Sequence, residues 1–268
     1  EELTMHDNKD KAKLSLLNEL EKKPKSANLL FAMGYLLFHK EEYRSALEYY
    51  DKFLDIKHDD TVIYNKAEIL IEFSNDDEEG LKTIELFRGS SEFKQQIQEL
   101  KAKALLHLEK FSECKKICVD VIEKDSSALD CIRTYADCCY EQENFQKSFD
   151  LNETILEQDS TDVDAKNNKV DLLIKLEKYD DALKICNDMI SQNSGDENAL
   201  ANKGEIFIKK SKFKEAIILL QNCVSIDGTF VEAWILLAKA QAHQNLINDT
   251  LDSLLVATSL EPELLDEL

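Results

Sequence analysis

The chain has 268 residues and a formal net charge of −21, from 33 Lys+Arg against 54 Asp+Glu. Charge of that sign and size repels phosphate backbones and anionic membrane surfaces, which argues against nucleic-acid and membrane partners, and no run of about 18 apolar residues is present to span a bilayer. Only 6 Gly and 2 Pro punctuate a sequence rich in Leu, Lys, Glu, Asp and Ile, a composition that leaves few tight hairpins and favours an all-α fold.

In chain order, residues 1 to 8 are polar and expected to fray. The stretch from Lys11 to Lys23 carries Leu14, Leu17 and Leu20 at helical spacing and stops before Pro24, whose ring removes an N–H. It reads as one amphipathic helix, a half-repeat or cap covering residues 1–26. The chain begins EELTM with no initiator Met, as expected of an excised or processed chain.

From Ala27 a 34-residue period takes over: 27–60, 61–94, 95–128, 129–162, 163–196, 197–230 and 231–264, leaving a stub at 265–268. The clearest copy is Ala165 to Asn187. Laid over the rest, it aligns Val170 with Gly34, Ala102, Ala136, Gly204 and Ala238, and Tyr179 with Tyr43, Phe111, Phe145 and Phe213. Each unit holds two helical patterns separated by a short polar turn such as EQENF or KLEKY, the mark of a helical hairpin. Position 20 of the unit is Ala46, Gly80, Cys114, Ser148, Ala182, Ala216 and Thr250, and position 27 is Phe53, Phe87, Val121, Ile155, Met189, Cys223 and Ala257. Small residues let helices approach, and large ones at 17 or 27 fill the gap beside them. The second unit aligns only if its first helix moves by one residue, placing Ala67 at position 8; the turn SNDDEEG is expected to absorb the difference, and the link RGSSEF to be irregular.

With small residues at 8 and 20, an aromatic at 17 and an apolar residue at 27, the unit resembles the tetratricopeptide repeat. The resemblance implies a right-handed α-solenoid of seven hairpins plus an N-terminal helix, forming one superhelical domain. It also implies a non-catalytic scaffold that docks a protein segment in a concave groove lined by the first helix of each unit. The family's Pro at position 32 is matched only by Pro262; Ser126, Ser160 and Ser194 stand there in other units, among Asp, Ser and Thr residues suited to N-capping.

At 100° per residue, positions 4, 7, 8 and 11 form the buried stripe and positions 2, 6, 9 and 13 lie opposite. The outward columns supply the candidate partner-binding residues: Asn65, Glu68, Lys103, Asp130, Thr134, Asp137, Asp164, Asn168, Asp171, Asn198, Asn202, Glu205 and Lys239. Carboxylates and amides concentrate in units four to six, where they suit a basic or extended peptide. A chain this acidic also solvates its surfaces with carboxylates generally, and the recurring Asn of NKAEILI, NKVDLLI and NKGEIFI also follows from duplication of one unit. In unit one, Phe31, Tyr35 and Phe38 put aromatics on or beside the inner face, either as an anchor or covered by the preceding helix. A carboxylate clamp is excluded because acid stands where it needs base, and Lys103 and Lys239 are four units apart.

The seven cysteines, Cys114, Cys118, Cys131, Cys138, Cys139, Cys186 and Cys223, are an odd set without a disulfide-scaffold context, which predicts reduced thiols and a cytoplasmic location. They fall at core positions with no ligand spacing for zinc, so no metal or other cofactor is expected. His39, His107 and His243 share position 13 but sit at least two units apart, too far for one ion. No phosphate loop or nucleophile elbow occurs, and no enzyme activity is expected. Two alternatives remain: a subunit that assembles with itself or a complex through the apolar C-terminal helix bearing Leu251, Leu254, Leu255 and Leu260, or a regulatory region of a larger protein.

Overall fold

The computed structural model describes residues 2–89 and 93–266, and in it the chain is all-α. The opening helix α1 (Glu2–Lys22) starts well before Lys11, so the polar N-terminal segment is helical where fraying was expected. Hairpin pairs follow: α2 (Ala27–Phe38) with α3 (Tyr43–Leu54), α4 (Asp60–Glu68) with α5 (Asp77–Glu85), and α6 (Lys94–His107) with α7 (Phe111–Ile122). The later helices are α8 (Leu129–Glu141), α9 (Phe145–Gln158), α10 (Val163–Lys175), α11 (Tyr179–Gln192), α12 (Glu197–Lys209), α13 (Phe213–Ile226), α14 (Val231–His243) and α15 (Ile247–Leu260). A 3₁₀ turn at Pro262–Asp266 closes the described chain.

The helices gather into two compact units, residues 1–138 and 139–268, with the division inside the sequence of α8. Each unit has its own apolar clusters. In the first, Leu20, Leu30, Met33, Leu37, Tyr50 and Phe53 form one, and Ala67, Ile71, Ile84, Ile97 and Ala104 the next. In the second, Val170, Leu173, Ala182, Cys186 and Ile206 are followed by Leu200, Ala216, Leu220, Cys223, Ala233 and Leu237.

The close approach of paired helices is set at positions 8 and 24. A Cβ added to Gly204 would lie 2.6 Å from Leu220 Cδ2, and one on Gly34 would lie 2.5 Å from the Tyr50 ring. The residue that fills the space opposite the small position is therefore Tyr50 or Leu220, at position 24, rather than the large residues at 17 and 27. Tyr50 is fully buried, and its hydroxyl accepts a hydrogen bond from Asn65 Nδ2 at 3.3 Å.

The polar turn inside each hairpin repeats one device. In six hairpins a backbone N–H closes onto the carbonyl five residues earlier, as in Glu42 to Leu37, Asn144 to Cys139 and Lys178 to Leu173, and the residue just before the donor is left-handed. This is the Schellman arrangement that ends the first helix. The left-handed residues are Glu41, Glu109, Glu143, Glu177, Ser211 and Asn245, with φ of 55 to 60°. Only Asn is at home there; a β-carbon costs about 1 kcal/mol in that region. Glu143→Gly and Glu177→Gly are each expected to stabilise the chain by about 0.5–1 kcal/mol after the entropy of glycine is discounted, seen as a rise in the urea midpoint.

The second hairpin departs from this rule. Its first helix runs into a π-helical turn, Ile69–Phe73, and the closing bond spans six residues, from Asp76 N–H to Leu70 O at 2.9 Å. A π turn takes up one extra residue. The one-residue shift is thus absorbed inside the helix, before the SNDDEEG turn that was expected to hold it, and Gly80 returns to its place against Ile71. In the link that follows, Gly89 has φ of 95°, while residues 90–92 lie outside the described residues.

Between hairpins, aspartate replaces the missing proline. Asp125, Asp159 and Asp227 each accept from the backbone N–H and hydroxyl of Ser127, Thr161 and Thr229 respectively, at 2.6 to 3.0 Å. Those bonds hold all three carboxyls below the usual range. The next helix is then capped by Asp162 or Asp196, which accept from Ala165 N and Ala199 N at 2.8 and 2.9 Å. Side-chain turns of this kind bend the link as a proline would. The caps are these aspartates and not the serines at position 32.

Candidate functional site: two acidic first-helix faces

In the first unit, α4, α6, α8 and the π turn enclose a polar recess of about 490 Å³. Its acids are Glu68, Glu72, Glu99, Asp130 and Asp137; its bases are Lys103, Arg133 and His107. Lys103 is already paired with Glu72, and His107 Nδ1 meets Asp77 at 3.0 Å, so part of the positive charge is consumed internally. Burial raises the Glu68 carboxyl above its ordinary value, opposed by the hydroxyl that Tyr64 donates at 3.1 Å and reinforced by neighbouring Glu72. Burial likewise raises Glu99, with Asp130 and Asp125 adding repulsion against the bond from Gln95. Packed carboxylates held above their normal pKa are a site short of cations.

In the second unit the first helices α10, α12 and α14 lie side by side and bring Asp171, Glu205 and Glu232 within mutual electrostatic reach. Glu232 is open to solvent yet crowded, and its carboxyl is raised by desolvation and then by Glu205 and Asp171, with Lys175 acting oppositely. Tyr140 joins them: burial first, then a hydrogen bond to Asp171, push its hydroxyl up, and Lys175 Nζ stands 6.0 Å from its ring centre. Glu205 also meets Lys209 along its own helix at 3.7 Å, an exposed pair of small worth.

Of the residues singled out from sequence, Glu68, Lys103, Asp130, Thr134 and Asp137 line the first recess together. Asp171 and Glu205 meet in the second unit. Asp164 and Asn168 are exposed on α10, Asn202 is half-buried on α12, and Lys239 is exposed on α14. Asn198 lines a separate recess with Val163 and Lys166. Two expected outward residues turn inward. Asn65 is buried against Tyr50, and Thr134 is buried with its hydroxyl returned to the Asp130 carbonyl at 2.8 Å.

The difference has a simple angular cause. The recess is lined at positions 5 and 12 as well as 2, 9 and 13, by Tyr64, Glu99, Arg133 and Leu106. The open face of the recess is therefore centred about 140° from position 4, about 30° from the centre assumed, and position 6 falls at its packed margin. Tyr64, Glu99, Arg133 and Tyr140, at positions 5 and 12, were missed on that account; Glu72 and Glu232, at positions 13 and 2, lie in columns read as outward but were not singled out.

The raised carboxyls have a consequence for stability. Glu68, Glu99 and Glu232 hold protons in the folded chain at pH values where the unfolded chain, with Glu near 4.5, has released them. Their contribution therefore becomes more favourable as pH falls from neutral toward about 4.5. Asp125, Asp159 and Asp227, whose folded values lie below 3.8, act oppositely and only in stronger acid. A higher urea midpoint at pH 5 than at pH 7.5 is expected, with Glu68→Gln, Glu99→Gln and Glu232→Gln together flattening the difference.

All seven cysteines are buried thiols outside any disulfide. Burial pushes Cys186 up to about 12 and Cys223 to about 11, and Cys118 rises through hydrogen bonds with Cys114 and Cys131. Thiols so placed are core residues rather than nucleophiles. Among the described residues no group of three or more His, Cys, Asp or Glu could hold a metal ion, and no helix is long and apolar enough to cross a membrane.

Residues 27–60 and 197–230 match the family model described as tetratricopeptide repeat. Among curated proteins, none matches this sequence. Solved structures are similar in fold. A tetratricopeptide repeat protein from Parabacteroides merdae is 15% identical, with 90% of this chain and 95% of that chain covered and a TM-score of 0.68. The C-terminal part of a TPR repeat-containing protein from Cytophaga hutchinsonii is also 15% identical, with 87% and 95% covered and a TM-score of 0.65. A thermophilic TPR protein of Thermus thermophilus is 12% identical, with 64% and 94% covered and a TM-score of 0.55. Two intervals match the tetratricopeptide repeat model and the same capped hairpin recurs in both units, so the chain contains tetratricopeptide repeats at 27–60 and 197–230.

Proposed function

We propose that this chain is a non-catalytic interaction scaffold whose first-helix faces bind a basic, extended segment of another protein. The supporting observation is the convergence of Asp171, Glu205 and Glu232 from three successive first helices, with the carboxyl of Glu232 raised by desolvation and then by Glu205 and Asp171. A lysine or arginine side chain placed among them relieves that repulsion, and an extended backbone can cross the helices with polar groups available at each step. The recess of the first unit offers the same chemistry. Titration of a labelled Lys/Arg-rich peptide against the chain tests the reading. Binding that weakens about tenfold or more between 50 and 300 mM salt is expected; no binding at low salt, or binding indifferent to salt, removes it.

A second reading, a structural subunit that assembles with itself or within a complex, is favoured by α15. Ile247, Leu251 and Leu255 recur every four residues and are 69%, 59% and 69% exposed. An apolar stripe of that kind is expected to be covered by a partner surface. Sedimentation over a range of concentrations checks it, a strictly monomeric particle counting against self-assembly.

A further inference from the structure

Beside the acidic recess of the first unit lies a second hollow of about 570 Å³ between α1 and α2, lined by Ala12, Leu16, Phe31, Tyr35, Leu36 and the ring of His39. Its chemistry is opposite. The lining is almost wholly apolar, and Lys9 at the rim turns its ammonium away onto the His39 carbonyl at 2.9 Å. The helix α1 packs on α2 through Leu16 and Leu20 but leaves Tyr35 48% exposed. It therefore covers the aromatics only in part. Phe31, Tyr35 and His39 form a column, with successive ring centres 6.0 and 4.3 Å apart.

A row of ring contacts links the linings of the two hollows. From His39 the aromatic row passes to Phe38 at 5.3 Å and on to Phe73 at 6.1 Å, and Phe73, half-exposed, is a lining residue of the acidic recess. The hydroxyl of Tyr50, pushed up first by burial, also feels both Glu68 and Tyr35, so the first carboxylate and the apolar column lie within electrostatic reach of one residue. That row leads from a place that accepts an apolar side chain to one that needs positive charge.

We infer that the first unit reads a two-point peptide: an aromatic or long aliphatic anchor seated on Phe31, Tyr35 and His39, and a basic cluster seated among Glu68, Glu99 and Asp130. This rests on the peptide-scaffold reading above and specifies its ligand. Neighbouring first helices stand roughly 10 Å apart, so the anchor and the recess, about two helices apart, are bridged by about six residues of extended chain at ~3.3 Å each. Aromatic anchors in partly formed pockets carry most of the energy in such interfaces, while rim charges steer and orient.

The probes are three labelled peptides titrated against the full chain: Trp, six Gly/Ser residues and Lys-Arg-Lys; the same with Ala for Trp; and the same with a two-residue spacer. The first is expected to bind at least tenfold tighter than the other two. Tyr35→Ala, a half-exposed site, should remove that advantage and leave the Ala peptide's affinity unchanged, while Glu68→Gln with Glu99→Gln should weaken all three. Far-UV circular dichroism confirms that the variants are folded. Equal binding of the three peptides overturns the two-point reading and leaves the basic-peptide scaffold standing. A Tyr35→Ala variant that weakens the Ala peptide as much as the Trp peptide also overturns it. Absence of binding by any of them overturns both, and Trp-peptide binding indifferent to the Gln substitutions overturns the two-point reading.

Discussion

The triple variant Asp171→Lys, Glu205→Lys, Glu232→Lys is expected to lose basic-peptide binding to the second unit by on the order of a hundredfold at low salt. Each exposed or half-exposed carboxylate contributes about 1 kcal/mol to a pair with an incoming cation, and three such contributions correspond to a little over two decades in affinity. Reversing the charges adds repulsion. Helical content should not fall, because all three side chains lie outside the apolar clusters. The neutral counterpart, Asp171→Asn with Glu205→Gln and Glu232→Gln, should lose less and show a shallower salt dependence. Equal affinity in wild type and the lysine variant would remove this face from the binding surface.

The largest effect on stability is expected where Gly204 meets Leu220. A methyl group at 204 would sit 2.6 and 2.7 Å from Leu220 Cδ2 and Cγ, inside a cluster with no room to yield. Overpacking of this kind costs about 1–3 kcal/mol, against which alanine regains up to about 1 kcal/mol of helix propensity. Gly204→Ala should therefore destabilise by about 1–2 kcal/mol. Leu220→Ala, which empties a fully buried site, should cost about 2–5 kcal/mol. In the double variant the new methyl enters the space that Leu220 vacated, so the two costs should fall short of additivity by about 1 kcal/mol or more. Urea midpoints of the four proteins measure this cycle; strict additivity would mean that the two positions do not share one space. Because repeat arrays can lose cooperativity, the transition of the second unit should be followed by Trp234 fluorescence, which reports from the same cluster.

The angular misplacement of the candidate site is instructive because it is small. Helical periodicity locates the stripe a helix must bury, since a small or apolar residue recurs at position 8 in every unit and an apolar one at position 11 in all but the last. It does not say how far the neighbouring first helix wraps round that stripe. In the first unit, packing between successive first helices takes in position 6, which buries Asn65 and Thr134 and leaves positions 5 and 12 on the open side, whereas Asn168 at the same position of α10 stays exposed. A recurrent polar residue then looks outward in the sequence and serves as an internal hydrogen-bond donor in the structure, as Asn65 does for Tyr50.

Other features were legible because they depend on local chain chemistry. The 34-residue period, the hairpin turns and the small residue at position 8 follow from spacing and size alone, and the one-residue shift of the second unit was visible in the placement of Ala67. What the sequence by itself determined is thus an all-α chain of tetratricopeptide hairpins with acidic first helices and core cysteines. Only the tertiary structure decided that the shift is taken up by a π turn, that the helices gather into two compact units, and which carboxylates meet. The physical reason is range: helix formation and capping are settled within about five residues, whereas the crowding that raises Glu68, Glu99 and Glu232 arises between side chains that only packing brings together.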